Sequence, residues 1–151
     1  MRRRKRSKKL RVLNLWLHQD AAKAVPYLRS LTGSLREHWL QLLQAQRRLK
    51  ARPNGEVSRR DRFIQQEKLE DDCDRAQERF EDALEELNKV EVYLLDPVRG
   101  LALIPFRKED DLAWFVFDYF APQGLVGWRY HQDEIDACRP LETLEATVSK
   151  A

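Results

Sequence analysis

Residues 69–90, LEDDCDRAQERFEDALEELNKV, carry the clearest structural pattern in the chain. Their apolar side chains recur at alternating intervals of four and three residues, which is the spacing of a helix that packs along a second helix. The sequence therefore predicts a long helix over residues 58–90 with one seam of contact. That seam consists of Leu69, Cys73, Ala76, Phe80, Ala83, Leu87 and Val90.

The partner helix precedes this segment. Residues 27–50 repeat the helical spacing, and Arg52-Pro53-Asn54-Gly55 predicts a reversal, because Pro cannot continue a helix and Asn-Gly favours a tight turn. Opposite net charges favour the pairing, since residues 19–52 hold seven basic and two acidic side chains while residues 56–91 hold seven basic and thirteen acidic ones. We predict an antiparallel helical hairpin over about residues 20–90. Its first stripe contains Leu28, Leu31, Leu35, Leu42, Ala45 and Leu49, widened by Trp39 and Leu43.

The chain ahead of the hairpin predicts a short strand and a helix start. Val12 to Leu17 is largely apolar and is typical of a short strand. Asp20 is expected to cap the following helix by accepting a hydrogen bond from a first-turn amide. Pro26 either kinks that helix or restarts it as a first-turn residue.

After Val90 the apolar period changes from helical spacing to two, which predicts strands. Short connections between them predict antiparallel neighbours. Alternation would place Phe115, Phe117 and Tyr119 on one face of their strand, and likewise Val126, Trp128 and Tyr130 on one face of the next. The predicted strands are Glu91 to Leu95, Leu101 to Pro105, Leu112 to Phe120 and Leu125 to His131, with Phe106 to Asp111 as a connecting loop.

These patterns predict an α+β protein in which the hairpin packs at its base on a small antiparallel sheet of three to five strands. We expect one domain over residues 12–141, with the sheet over about residues 91–131 and a C-terminal tail over residues 142–151. The length of 151 residues suits one domain.

Charge is distributed unevenly along the chain. Eight of the 28 basic residues fall within residues 1–11, which hold no acidic residue. The rest of the chain contains 20 basic and 25 acidic residues and so carries a net charge of −5. We predict a disordered basic arm that contacts phosphates of RNA, DNA or anionic lipid. A solubilising extension or a mispredicted start is the alternative. The arm contains Arg2, Arg3, Arg4, Lys5, Arg6, Lys8, Lys9 and Arg11.

Composition disfavours several classes of protein. Two cysteines 65 positions apart, Cys73 and Cys138, make neither a disulfide framework nor a Cys-based zinc site. No apolar run of about 18 residues predicts a transmembrane helix, and we expect a cytoplasmic protein. No Gly-rich phosphate loop or nucleophile elbow is present, so no cofactor and no catalytic residue is predicted.

One candidate ligand site lies around the last strand. His131 and Asp133 offer nitrogen and oxygen ligands at its end, with Arg129 alongside. Asp118 stands among aromatic residues, where a carboxylate can have a raised pKa. A solvated strand end, and an ion pair between Asp118 and Arg129, are the structural alternatives.

The difference in length between the helices and the strands predicts a candidate partner surface on the hairpin. A 30-residue helix is about 45 Å long and a six-residue strand about 20 Å, so the sheet covers only the base of the hairpin. An apolar flank on the projecting half favours a protein partner or a homodimer, which makes a non-enzymatic interaction or scaffold protein the leading hypothesis. Nucleic-acid binding by the arm, and a small ligand or metal at the last strand, are the alternatives. The partner surface comprises Leu42, Leu43, Leu49, Phe63 and Ile64.

Several of these residues resemble those of the domain of unknown function 2203 family of prokaryotic proteins. The likeness rests on Asp96-x-x-Arg99-Gly100-Leu101 followed by a strand ending in Pro105. It extends to Ala21, Pro26, Val126-Gly127, Asp133 and Arg139, and covers roughly residues 12–141. The chain departs from the family pattern at Tyr119 to Gly124, which lacks a Gly-Glu pair, and at Trp128-Arg129-Tyr130, where the family has Tyr-Trp-His. The resemblance implies the fold and no settled activity.

Overall fold

The computed structural model describes residues 14–51 and 58–144. Within these residues three helices precede the sheet, and we number them α1 to α3 in chain order. Helix α1 spans His18–Lys23, α2 spans Val25–Lys50 and α3 spans Arg59–Lys89. Helices α2 and α3 lie antiparallel and form the predicted hairpin, which is therefore confirmed. The predicted turn at residues 52–55 lies outside the described residues.

Local signals explain where the helices begin. The Ser58 hydroxyl accepts a hydrogen bond from the amide of Asp61 at 3.1 Å and so caps α3. Pro26 is the second residue of α2 and lies in its first turn, which confirms the alternative in which the helix restarts at this proline. The prediction that Asp20 caps the first helix was wrong, because α1 begins earlier and Asp20 lies within its first turn.

The segment ahead of α1 is attached at a single point. Residues 12 and 13 of the strand predicted over Val12 to Leu17 lie outside the described residues, and the remainder makes only one parallel bridge, from Trp16 to Phe106. The prediction of a strand is therefore wrong for residues 14–17. The Trp16 indole N–H donates to the carbonyls of Val90 and Glu91 at 3.1 and 3.3 Å, which ties this segment to the base of the hairpin.

Four strands form one antiparallel sheet in the order β1-β2-β3-β4. Tyr93–Asp96 is β1, Leu101–Lys108 is β2, Asp111–Asp118 is β3 and Leu125–Tyr130 is β4. The α+β architecture is confirmed. The loop predicted over Phe106 to Asp111 was wrong, because β2 continues through Pro105 to Lys108 and only two residues form the turn.

The inner face of the sheet packs on the hairpin. Phe115 and Phe117 are fully buried there, and the Phe115 ring stacks on Phe106 with centroids 4.0 Å apart. Leu28 and Leu35 of α2 and Leu87 of α3 are also fully buried in this cluster. The main core therefore lies between the sheet and the base of the hairpin, as the lengths of strand and helix predict.

A β-bulge in β4 alters the faces that alternation predicts. Val116 pairs with Gly127 but Phe117 pairs with Leu125, so Val126 is the extra residue. Val126 consequently packs on the outer face of the sheet, while Trp128 packs in the main core. The prediction that Val126 shares a face with Trp128 was wrong for this reason.

Residues after β4 fold back along its edge. Trp128 and Arg139 exchange two backbone hydrogen bonds of 3.0 and 2.6 Å. Gly127 permits this approach, because a Cβ at that position would lie 2.5 Å from the Arg139 carbonyl oxygen. The Trp128 indole N–H also donates to the Pro140 carbonyl and the Thr143 hydroxyl, both at 3.1 Å. We call residues 139–144 the edge clasp.

Candidate functional site

The strand-end residues that the sequence groups together are divided by the sheet register. Asp118 pairs with Leu101 at one end of β3, whereas Arg129 pairs with Trp114, four residues away along the same strand. That separation is about 14 Å. The predicted pair of Asp118 and Arg129 is therefore wrong. The Asp118 carboxylate instead accepts a hydrogen bond from the Phe120 amide at 2.9 Å and supports the turn after β3.

Arg129 stabilises the turn that follows β4. Only 7% of Arg129 is exposed, and its Nη1 donates to the carbonyls of Asp133 at 2.9 Å and Glu134 at 3.3 Å. Nη1 therefore stabilises the turn, whereas Nε is buried and has no hydrogen-bond partner among the described residues.

His131 is engaged by the aromatic outer face of the sheet. The Trp114 indole N–H donates to Nδ1 of His131 at 3.1 Å, and the two rings lie 6.0 Å apart. A bond to Nδ1 leaves only Nε2 for other partners. No group of three or more His, Cys, Asp or Glu side chains within residues 14–51 and 58–144 is arranged to hold a metal ion.

Asp133 forms a two-pronged ion pair with Arg139. Arg139 Nε lies 2.9 Å from Oδ2 of Asp133, and Nη2 lies 3.0 Å from Oδ1. The Tyr130 amide also donates to Oδ2 at 2.9 Å. The hydrogen bonds from Arg139, followed by that from Tyr130, lower the pKa of Asp133 below its ordinary value of 3.8. The same pairing raises the pKa of Arg139, so both groups stay charged.

We expect Asp133→Asn to destabilise the protein at neutral pH and to have little effect in acid. The folded state lowers the pKa of Asp133, so the ionised carboxylate stabilises folding above the unfolded value, near 3.8, and this stabilisation is lost as pH falls through the lower folded value. Thermal unfolding of both proteins between about pH 2.5 and pH 7 measures the difference.

The matched control for that experiment is Asp110→Asn. The Asp110 side chain is 98% exposed and lies 3.4 Å from Arg107, so its loss should change the unfolding midpoint little at any pH. A difference in unfolding midpoint between Asp133→Asn and the parent protein that stays constant across the whole pH range would contradict the ionic role of Asp133.

Arg139 lies against two aromatic rings at the mouth of a cavity. Its guanidinium carbon is 5.4 Å from the Trp128 ring centroid and 4.9 Å from that of Tyr130. The cavity has a volume of about 370 Å³ and lies between the end of the sheet and the edge clasp. Its lining residues are Lys108, Glu109, Trp128, Tyr130, Arg139, Pro140 and Thr143.

Lys108 is absent from the predicted site residues because the strand predicted over Leu101 to Pro105 ends too early. The signal was present in the alternation of Ala102, Ile104 and Phe106, which continues to Lys108 on the inner face of the sheet. Only 8% of Lys108 is exposed.

The partner surface predicted on the hairpin is only partly exposed. Leu42 is 5% exposed and packs with Ala45 and Ala76 between the two helices. The prediction that Leu42 belongs to the partner surface was therefore wrong. A seam leucine is covered by the opposing helix even without the sheet. Leu43 and Leu49 are half-buried. Phe63 and Ile64 are 62% and 52% exposed.

The basic arm, Arg2 to Arg11, lies outside the described residues, and its binding to nucleic acid stays a prediction. Within the described ranges, no helix combines the length and apolarity needed to cross a membrane.

Residues that carry the family resemblance have structural roles. The Asp96 carboxylate accepts hydrogen bonds from the amides of Val98 and Arg99 at 3.0 and 3.1 Å, which shapes the turn after β1. Gly100 follows with φ of +71°, and a Cβ there would lie 2.6 Å from the Tyr119 Cβ. No family model, curated protein or solved structure matches this chain. The resemblance to the domain of unknown function 2203 family therefore stays a prediction.

Proposed function

We propose that this chain is a non-enzymatic interaction protein that forms a homodimer through the projecting half of its helical hairpin. The surface consists of the end of α2 from Leu43 to Lys50 and the start of α3 from Arg59 to Cys73. The observation that carries the proposal is the exposure of Phe63 and Ile64, adjacent large apolar residues in the first turns of α3, far along the helix from Ala83 and Leu87, which pack with the sheet.

The projecting half has only a small core in the described residues, formed by Leu42, Ala45 and Ala76. Ala76 is the first buried residue of α3, seventeen positions after the helix begins at Arg59. Leu69 and Cys73 of the predicted seam are only half-buried. Two helices alone bury little apolar area, so a further pair of helices against this half would shield Phe63 and Ile64 from water.

Charge favours a second copy of the chain as the occupant. Helix α2 has five basic side chains and one acidic, net +4, whereas α3 has seven basic and eleven acidic, net −4. In a two-fold arrangement, α2 of each protomer can lie against α3 of the other, so that attraction occurs twice. The basic end of α2, with Arg47, Arg48 and Lys50, would then face the acidic residues of the partner's α3.

We expect the parent protein to sediment as a dimer at micromolar concentration and Phe63→Glu to sediment as a monomer. A carboxylate at position 63 would have to be desolvated in the four-helix contact. Ile64→Glu and Leu43→Glu test neighbouring parts of the same surface. Analytical ultracentrifugation over a concentration series measures the change.

Ile135→Glu is the control, because Ile135 is 69% exposed and lies after β4, outside the proposed contact. It should remain dimeric. A parent protein that is monomeric throughout the series would refute the proposal. A dimer that survives Phe63→Glu would place the contact elsewhere, and capture of a different protein by a monomeric chain would replace the second copy as occupant.

A further inference from the structure

The cavity beneath the edge clasp is lined by a lysine whose ammonium has no hydrogen-bond acceptor among the described residues. Lys108 is the last residue of β2, and only 8% of its side chain is exposed. Its nearest carboxylate oxygen is Oε2 of Glu109, at 3.9 Å, beyond hydrogen-bond distance. Among the described residues, Nζ of Lys108 donates no hydrogen bond, although an ammonium has three donors.

The surroundings of Lys108 compensate its charge only in part. Its Nζ lies 5.7 Å from the centroid of the Trp128 ring, which is a cation–π contact at the long end of the range. The Lys108 stem is buried while its ammonium lines the cavity, so its three donors can be used by a group bound there.

Arg139 supplies a second cation to the same cavity in a fixed orientation. Asp133 binds its Nε and Nη2, and the Trp128 and Tyr130 rings lie against its guanidinium. This support restricts the side chain before any ligand arrives, which lowers the entropy cost of binding.

The chemistry of the lining defines the class of ligand. The lining residues with formal charges are Lys108, Arg139 and Glu109. Asp133 already neutralises Arg139 from outside the lining, so Lys108, whose Nζ makes no hydrogen bond among the described residues, is the group that favours an anion. Trp128 is only 3% exposed, so it leaves no open ring face on which an aromatic ligand could stack. The Tyr130 ring is already in contact with the Arg139 guanidinium. The two cations and the Thr143 hydroxyl suit a compact group with several acceptor oxygens.

We propose that this cavity binds a small oxyanion, the carboxylate or phosphoryl group of a small molecule, with Lys108 as its principal ligand and Arg139 as the second. The proposal is independent of dimer formation, because it uses the sheet and the edge clasp and no residue of the projecting half of the hairpin.

The test is a titration of the full chain with inorganic phosphate and, separately, with succinate at constant ionic strength, followed by ¹H–¹⁵N NMR. The reporter is the Trp128 indole N–H, which donates to Pro140 and Thr143 in the cavity wall. The Trp39 indole, which packs against Phe80 in the hairpin, is the internal reference. We expect a saturable shift at Trp128 and none at Trp39, with the two titrations distinguishing a phosphoryl from a carboxylate ligand.

Lys108→Met keeps the side-chain stem and removes the charge. It should weaken binding about tenfold or more, since a hydrogen bond to a charged group is worth about that factor. Lys89→Met, at an exposed lysine in the last turn of α3, should bind like the parent chain.

Equal affinity in Lys108→Met and the parent chain would overturn the proposal. So would equal shifts at both indoles, or no saturable shift with either anion. If Lys108→Met fails to fold by circular dichroism, the comparison of the two indoles in the parent chain still decides the outcome.

Discussion

Replacing Ile104 with alanine is expected to lower the free energy of unfolding by about 2–5 kcal/mol. Ile104 is fully buried in the middle of β2. It pairs with Phe115 on β3, and its side chain belongs to the cluster on the inner face of the sheet. The substitution leaves a cavity between the sheet and the base of the hairpin, and close-packed neighbours fill such a space only in part. Chemical denaturation monitored by circular dichroism measures the change.

The same substitution at Ile135 provides the matched control. Ile135 is 69% exposed in the turn region after β4, so Ile135→Ala should change stability by no more than about 0.5 kcal/mol. Equal effects at the two positions would mean that the inner face of the sheet is not the core of this protein.

Replacing Gly127 with valine is expected to destabilise the protein by about 1–3 kcal/mol and to release the edge clasp. A Cβ at this position would collide with Cys138 Sγ and would lie 2.5 Å from the Arg139 carbonyl oxygen. The carbonyl belongs to the backbone that pairs with Trp128, so it cannot move without breaking those hydrogen bonds.

Hydrogen exchange distinguishes release of the clasp from general destabilisation. The Arg139 amide donates to the Trp128 carbonyl and should lose protection in Gly127→Val, while the Ile104 amide in the sheet centre keeps it. Adding Cys138→Ala to Gly127→Val removes only the collision with sulfur, so it should restore little of the lost protection at Arg139. Unchanged protection at Arg139 would show that the clasp does not lie against Gly127.

The helical hairpin is the element that local sequence predicts best. The 4-3 spacing from Leu69 to Val90 and the matching stripe on residues 27–50 each specify a face for contact, and charges of opposite sign favour their pairing. The structure buries Ala76, Ala83 and Leu87 on that face. Such patterns can be interpreted from one segment at a time, because a helix forms its hydrogen bonds within itself.

The candidate sites were much less predictable. Asp118 and Arg129 both belong to the last two strands, and alternation alone makes their pairing reasonable. The register places them about 14 Å apart, and the bulge at Val126 then reverses which side chains face the hairpin. Lys108 becomes part of a cavity only because residues 139–144 return along β4, a contact between distant segments.

Local patterns in the sequence predict the class of fold, the hairpin and the four strands after Val90, since amphipathic period and turn chemistry are local properties. The register of the sheet, the burial of Leu42, the ion pair of Asp133 with Arg139 and the cavity around Lys108 follow only from the folded chain. The physical reason is that these features depend on hydrogen bonds and close packing between segments far apart in the chain, where a displacement of one residue in a strand turns a side chain to the opposite face.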